Sequence, residues 1–358
     1  MADIDCEWEN FLNNNNDQTE NVYNNGYNKD TTSEDGCAKN TNDIPNCGEL
    51  YISTKTKIAY FNTQIDLCNI FWNLKIQDYH VPKEGIIKKQ MKFSSSTPEE
   101  LEHIKNLLKK EKIIDEHVIT QIINPNGRIK YKDIRKVSIG LSKKDIVSVR
   151  SKKKSAFYNC FVVIIRILHN ENFKEIHVKV FNTGKMEIPG IQDDAVLYKT
   201  LDALTNIINN LSVHDVSYLK NNIETVLINS NFNCGFYIDR DKLFKILKYD
   251  YKISCTYDPC SYPGIQCEYN YSDEIIEQSE IKITNNINNK NYKVSFMIFR
   301  TGSVLIVGKC SEDILNKIFN FIKNLLHDNY HMINIGVSTN ITKKQSKPRR
   351  TRCIKLIK

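Results

Sequence analysis

Phe181-Asn-Thr-Gly-Lys-Met-Glu-Ile-Pro-Gly190 and Phe299-Arg-Thr-Gly-Ser-Val-Leu-Ile-Val-Gly308 share the pattern F-x-T-G-x-x-x-I-x-G at an offset of 118 residues. In each, Thr-Gly separates two apolar runs. That reads as a tight hairpin, because glycine accepts a positive φ without steric cost. The likeness runs on beyond the turn. Leu197, Leu201, Leu204, Ile207 and Ile208 fall on Leu315, Phe319, Ile322, Leu325 and Leu326. Apolar spacings of three and four predict an amphipathic helix after each hairpin. Asp193-Asp194 and Ser311-Glu312-Asp313 stand where the two helices need caps and negative charge. A hairpin followed by a helix, written twice, is an internal repeat.

A second pair lies upstream. Ile65-Asp66 with Ile70, Phe71 and Leu74 matches Ile238-Asp239 with Leu243, Phe244 and Leu247, at an offset of 173. The difference, 173 − 118 = 55, places about 55 extra residues in the first copy, assigned to 94–150. That insertion is expected to be part helix, over Glu99 to Lys112, and part mobile chain. Strands are expected at 52–60, 86–93, 157–168, 175–181 and 185–188 in the first copy. In the second they are expected at 224–232, 264–271, 281–284, 292–299 and 304–307. The reading is a pseudo-twofold α+β fold. Each repeat runs strand, helix, strands, helix, and a continuous antiparallel sheet carries the helices on one face and leaves the other free. The expected division is an Asn-rich acidic arm at 1–48, a first repeat at 49–213, a second at 214–332 and a basic tail at 333–358.

Charge follows that division. The chain of 358 residues carries +8, but residues 1–48 hold ten acids and two bases, so the remainder carries +16. Lys143 to Lys154 contains six bases and one acid, and residues 343–358 contain eight bases and no acid. A basic body beside an acidic arm suits a polyanionic partner; a solvated surface is the plain alternative. No apolar run reaches membrane-span length, since the longest, Phe161 to Leu168, contains Arg166. Acids at Asp3, Asp5, Glu7 and Glu9 argue against a secretory leader, and 11 scattered Cys argue for reduced thiols.

The second copy, 222–330, resembles the TATA-box-binding protein family in the order of its elements, in Phe299 to Gly308 and its following helix, and in Tyr257-Asp-Pro-Cys-Ser-Tyr-Pro-Gly264. The first copy matches at its two ends. The insertion and the Asn-rich arm are similar to the TATA-box-binding-like proteins of large cytoplasmic DNA viruses. The resemblance implies a saddle: a curved antiparallel sheet with helices on its convex face, whose concave face enters the minor groove of double-stranded DNA. It implies no cofactor, a general transcription factor and a multisubunit RNA polymerase as partners, and a monomer on DNA. It also implies action in the host cytoplasm or virion, with the nucleus possible.

Carried over residue by residue, the resemblance implies wedge aromatics at Phe181, Phe299 and Tyr262, with Lys83 at the fourth position. Groove-floor positions fall on Leu305 and Val307 in the second copy and on Glu187 and Pro189 in the first. Central polar contacts fall on Thr54 or Thr56 and on Asn229 or Asn231. Phosphate contacts fall on Lys89 and Lys185, with Glu268 opposite Lys89 in the second copy. Lys83, Glu187, Pro189 and Glu268 depart from the family's chemistry. They leave open a saddle that binds another protein and no longer bends DNA.

Enzymatic motifs are missing from the sequence. There is no phosphate-binding loop, no nucleophile elbow and no paired histidines of a zinc protease, so the chain is expected not to be an enzyme. Cys255, Cys260 and Cys267 form C-x4-C-x6-C and would need a distant fourth ligand such as Cys234 to hold zinc, so free thiols are expected. The basic tail reads either as a phosphate contact or as an import signal.

Overall fold

The computed structural model describes residues 44–147, 157–212, 215–271 and 292–336. Their strands are β1 (Tyr51–Tyr60), β2 (Gly85–Ser95), β3 (Ile114–Ile123), β4 (Tyr131–Gly140), β5 (Cys160–His169), β6 (Asn172–Phe181) and β7 (Lys185–Ile191), then β8 (Glu224–Asn233), β9 (Ser254–Thr256), β10 (Gly264–Tyr271), β11 (Tyr292–Phe299) and β12 (Ser303–Gly308). All belong to one 12-stranded sheet in the order β3-β4-β2-β5-β6-β7-β1-β8-β12-β11-β10-β9. Every recorded pairing is antiparallel, so the chain is α+β with a large antiparallel sheet.

Alternation decides the two faces. Val178 and Val180 of β6, Met186 and Ile188 of β7, and Phe161, Val163 and Ile165 of β5 point into one apolar core with helices α1 (Leu67–Asn73), α2 (Pro98–Leu108) and α4 (Asp194–Asn209). Val294, Phe296 and Ile298 of β11 and Val304 and Ile306 of β12 point into a second core. That core is shared with α5 (Arg240–Lys245, continued as a π-turn over Ile246–Asp250), α6 (Glu312–Asp328) and α7 (Tyr330–Ile333). Helix α3 (Lys143–Val147) contributes to neither core. The alternate residues form what is called here the far face.

Helices form where the sequence places caps. Asp193 accepts from Ala195 N at 2.8 Å, and Ser311 accepts from Ile314 N at 3.3 Å. The buried positions of α6 are Ile314, Leu315, Ile318, Ile322, Leu325 and Leu326, one stripe at helical spacing. Asp66 and Asp239 cap α1 and α5 in the same way, through Asn69 N and Lys242 N, each at 3.2 Å.

The two hairpins dock alike. Gly184 N donates to Phe181 O and Gly302 N to Phe299 O, both at 3.0 Å. Phe61 N reaches Gly184 O at 2.8 Å, and Cys234 N reaches Gly302 O at 2.9 Å. Gly184 and Gly302 have φ of 84° and 80°. A Cβ there would stand 2.5 Å from Thr63 O or 2.3 Å from Phe236 O, so both turns need glycine for conformation and for room.

The insertion differs from expectation. Besides α2 it contributes β3 and β4, which extend the sheet at one edge. Charged residues that face the core hid the alternation. Asp133 and Arg135 of β4 are 0% and 4% exposed, joined at 2.6 and 2.7 Å, and Glu116 of β3 closes the cluster at 2.7 Å. Ordered chain also begins earlier than expected, since Gly48 N donates to Asn233 O at 2.7 Å. At the other end Ile335 N donates to Tyr237 O at 2.9 Å. The acidic arm through residue 43, the strand expected at 281–284, the lysines at 152–154 and the basic tail from 337 lie outside the described residues.

Candidate nucleic-acid interface

The far face carries most of the residues singled out in the sequence. Phe181 and Phe299 end β6 and β11, belong to neither core, and are half-buried. Lys185 Nζ stands 5.6 Å from the Phe181 ring centroid. Tyr262 packs edge-on against Phe299 with centroids 5.8 Å apart, and its hydroxyl meets Met297 Sδ at 3.3 Å. Burial pushes the Tyr262 phenol up from its usual value, so the ring stays neutral. Leu305 and Val307 of β12 share this face.

At the centre of the sheet β1 pairs with β8. Thr54 lies opposite Asn229 and Thr56 opposite Leu227. Asn229 Nδ2 donates to Thr54 Oγ1 at 3.1 Å, and Asn231 Nδ2 to Ser53 Oγ at 2.7 Å. Thr56 is buried, at 9% exposure. Asn229 Oδ1 is buried without a partner, which leaves hydrogen-bonding capacity at the midpoint of the face.

Three sequence assignments change. Lys89 is not a phosphate contact. It is 0% exposed and points to the core face, where Nζ donates to Leu74 O at 2.9 Å and to Glu111 Oε1 at 3.0 Å. Burial pulls its ammonium below the usual lysine value, against the pull of Glu111. Lys83 is not the partner of Phe181. It sits in the turn before β2, whereas the strand paired with β6 is β5, with Cys160 opposite Phe181 as Gly264 is opposite Phe299. Two residues ahead of Gly264 stands Tyr262; two ahead of Cys160 stands Tyr158, 58% exposed. Tyr158 thus holds, relative to the paired strand, the position that Tyr262 holds in the second half. Glu187, third, is not a bare acid: Lys179 Nζ meets it at 2.5 Å on the same face. Pro189 falls where β7 bulges between Ile188 and Ile191, with Gly190 at φ 85°.

His177 of β6 also faces this side, opposite Ile164. The residue as a whole is half-buried, but Nδ1 is sealed and has no hydrogen-bond partner. Burial, with Lys179, Lys144, Lys136 and Lys88, pushes the imidazolium down to about 3. In the unfolded chain a histidine takes its proton near pH 6.5. The unfolded state therefore binds more protons between about pH 6.5 and 3, and stability falls as pH drops through that window. Between pH 7 and pH 5 we expect a loss of about 1–2 kcal/mol in urea unfolding from this group, and His177→Gln should remove that slope.

Among the described residues no three His, Cys, Asp or Glu side chains are grouped to hold a metal. Cys255 and Cys267 face each other across β9 and β10 as free thiols, while Cys260 is exposed. No helix among these residues is long and apolar enough to cross a membrane.

Over 207 residues the chain is 27% identical to a protein of Acanthamoeba polyphaga mimivirus described as TATA-box-binding protein-like. In sequence the chain is similar to a viral TATA-box-binding protein-like protein. The alignment covers 53% of this chain and 54% of the relative, so the chain spans about half the relative's length. Superposed on Methanococcus jannaschii TBP, it gives a TM-score of 0.39 at 14% identity, covering 78% of this chain and 99% of that one. No family model matches the chain.

Proposed function

We propose that this chain is a TATA-box-binding-like transcription initiation factor. It seats A+T-rich promoter DNA by the minor groove against its far face and recruits a general transcription factor and a multisubunit RNA polymerase. On this reading the two hairpin-helix units are copies of one module, related by a pseudo-twofold axis between β1 and β8, and form a saddle with its helices on the convex side. The observation that carries the reading is the placement of Phe181 and Phe299, at matching hairpins, outside both cores and on one face of one sheet.

Apolar wedges that unstack base steps and kink the duplex are the known device of the TATA-box-binding protein itself, so that mechanism is borrowed from the likeness. Affinity would come from Lys and Arg on phosphates, and base preference from the A·T pattern of the minor groove. No chemical step is required of the protein, and it acts without a cofactor as a monomer on DNA. The compartment is the host cytoplasm or virion, or the nucleus.

One observation favours a second reading, a protein-interaction module on the same scaffold: α3 packs on the far face of the first half, where Lys88 Nζ holds Asp145 at 2.7 Å. A salt titration separates the two. On an A+T-rich duplex followed by anisotropy, a DNA binder should show log K falling with log salt at a slope of about −4 or steeper, from roughly five or more phosphates. The interaction module would form no specific duplex complex at any salt.

A further inference from the structure

Two thiols meet across the strands at one edge of the sheet. β9 is three residues long, has β10 as its single neighbour, and pairs through Ser254–Glu268, Cys255–Cys267 and Thr256–Gln266. Cys255 and Cys267 are thus directly opposed, and their side chains share one face. Residues so placed have Cα atoms about 4.5–5.5 Å apart, within the roughly 4.4–6.8 Å that a disulfide spans. Both stand on the core side. Cys267 is 2% exposed inside the second core, and the half-buried Cys255 packs against that core. Among the described residues no other strand pairing sets one cysteine opposite another.

Their surroundings give the two thiols different chemistry. The Cys267 thiol donates to Cys255 and pulls it below the usual thiol value, against the burial of Cys255 and with help from Lys248. The same contact, together with burial, pushes Cys267 up. Burial also pushes Cys160, Cys234 and Cys310 up, each to about 11, which leaves them inert. Cys255 thus joins partial exposure to thiolate character, the two conditions for attack on a disulfide. The segment between the two cysteines carries Tyr262. Asp258 organises its turn from within: Asp258 O accepts from Ser261 N at 3.1 Å and from Tyr262 N at 2.9 Å, and Asp258 Oδ1 accepts from Cys260 N at 3.0 Å. Arg240 donates to Pro263 O at the β10 end. At the other end the three pairings of β9 tie the segment to the sheet, and so short an edge strand opens readily.

We propose that Cys255 and Cys267 are a reversible redox pair whose disulfide clamps β9 to β10 and stiffens the loop 257–263 that holds Tyr262 against Phe299. The oxidant is a low-molecular-weight disulfide such as oxidised glutathione. The Cys255 thiolate attacks one of its sulfurs, forms a mixed disulfide and releases one glutathione thiolate. The Cys255 sulfur then no longer accepts the Cys267 proton, so the contact that held that proton is gone. Cys267 gives it to solvent and attacks the Cys255 sulfur, which expels the second glutathione as thiolate. Two electrons pass from the protein thiols to the oxidant: one S–S bond forms in the protein and one breaks in glutathione. Excess reduced glutathione runs the exchange backwards. The pair stands apart from the DNA-binding reading, since neither the bond nor the clamp needs a duplex.

The test uses the full folded chain without DNA, with Cys260→Ala and Cys267→Ala beside it. Each protein is incubated with excess oxidised glutathione, its remaining thiols are alkylated, and its disulfides are mapped by peptide mass spectrometry. The unaltered chain and Cys260→Ala should both yield a Cys255–Cys267 disulfide that excess reduced glutathione removes. Cys267→Ala, which lacks the resolving thiol, should stop at glutathione bound to Cys255. Hydrogen exchange over 254–263 should be roughly tenfold slower in the oxidised unaltered chain than in the reduced one, because the bond forbids the opening of β9. Alkylation of both Cys255 and Cys267 in the unaltered chain after oxidation overturns the proposal. So does a bond from Cys255 to Cys260 in place of Cys267, or a Cys255–Cys267 bond that leaves exchange over 254–263 unchanged.

Discussion

Replacing Phe181 and Phe299 together by alanine is expected to weaken binding to an A+T-rich duplex on the order of a hundredfold and to remove the bend, because unstacking a base step costs a few kcal/mol that only an inserted ring supports. Both rings lie on the far face and outside either core, so the protein should stay folded. Phe299 is the stronger of the two, since Tyr262 buttresses it at 5.8 Å and Met297 holds the Tyr262 hydroxyl. Tyr262→Ala and Tyr158→Ala should each cost less, about tenfold, because a phenol ring wedges apolar area but carries a hydroxyl that seeks a partner. The measurement is anisotropy for affinity and end-to-end energy transfer on a doubly labelled duplex for bending, with a thermal melt beside each variant. Wild-type affinity and bend in the double alanine variant would remove the wedge role.

The largest loss of stability should come from Asp133→Ala. Asp133 is 0% exposed and holds Arg135 through two bonds of 2.6 and 2.7 Å. Arg135, 4% exposed, lies between Phe93 of β2 and Val118 of β3. Without Asp133 the guanidinium keeps only Glu116, and stranding a buried charge costs about 3–5 kcal/mol. That is a large share of the roughly 5–15 kcal/mol that holds a domain together. Removing both partners, as in Asp133→Ala with Arg135→Met, should recover most of the loss, since no charge is then left behind. Urea unfolding followed by far-ultraviolet dichroism reads both variants. A loss under about 1 kcal/mol for Asp133→Ala would show that β3 and β4 are held by their backbone ladder alone, with the ion cluster incidental.

The parts legible in the sequence were those set by neighbours along the chain. Period and caps located α4 and α6, because Asp193 and Ser311 bond to backbone two or three residues away. Thr-Gly located both hairpins, because the positive φ of Gly184 and Gly302 is a local demand. The strands β3 and β4 escaped notice because their core-facing side carries Glu116, Asp133 and Arg135. Their burial is tolerable only because they meet one another. Lys89 escaped for a related reason: its ammonium is satisfied by Leu74 O and Glu111, which lie 15 residues before it and 22 after it.

The sequence alone determined that two hairpin-helix units exist, where each turns, and which side of each helix is apolar, since all three follow from residue type at fixed short spacing. The tertiary structure alone decided that β5 and not β2 lies beside β6, and that Tyr158 rather than Lys83 stands two residues ahead of the residue paired with Phe181. Backbone hydrogen bonds between strands are the same for every side chain. The choice of neighbouring strand therefore depends on how distant surfaces fit together, which no local pattern encodes.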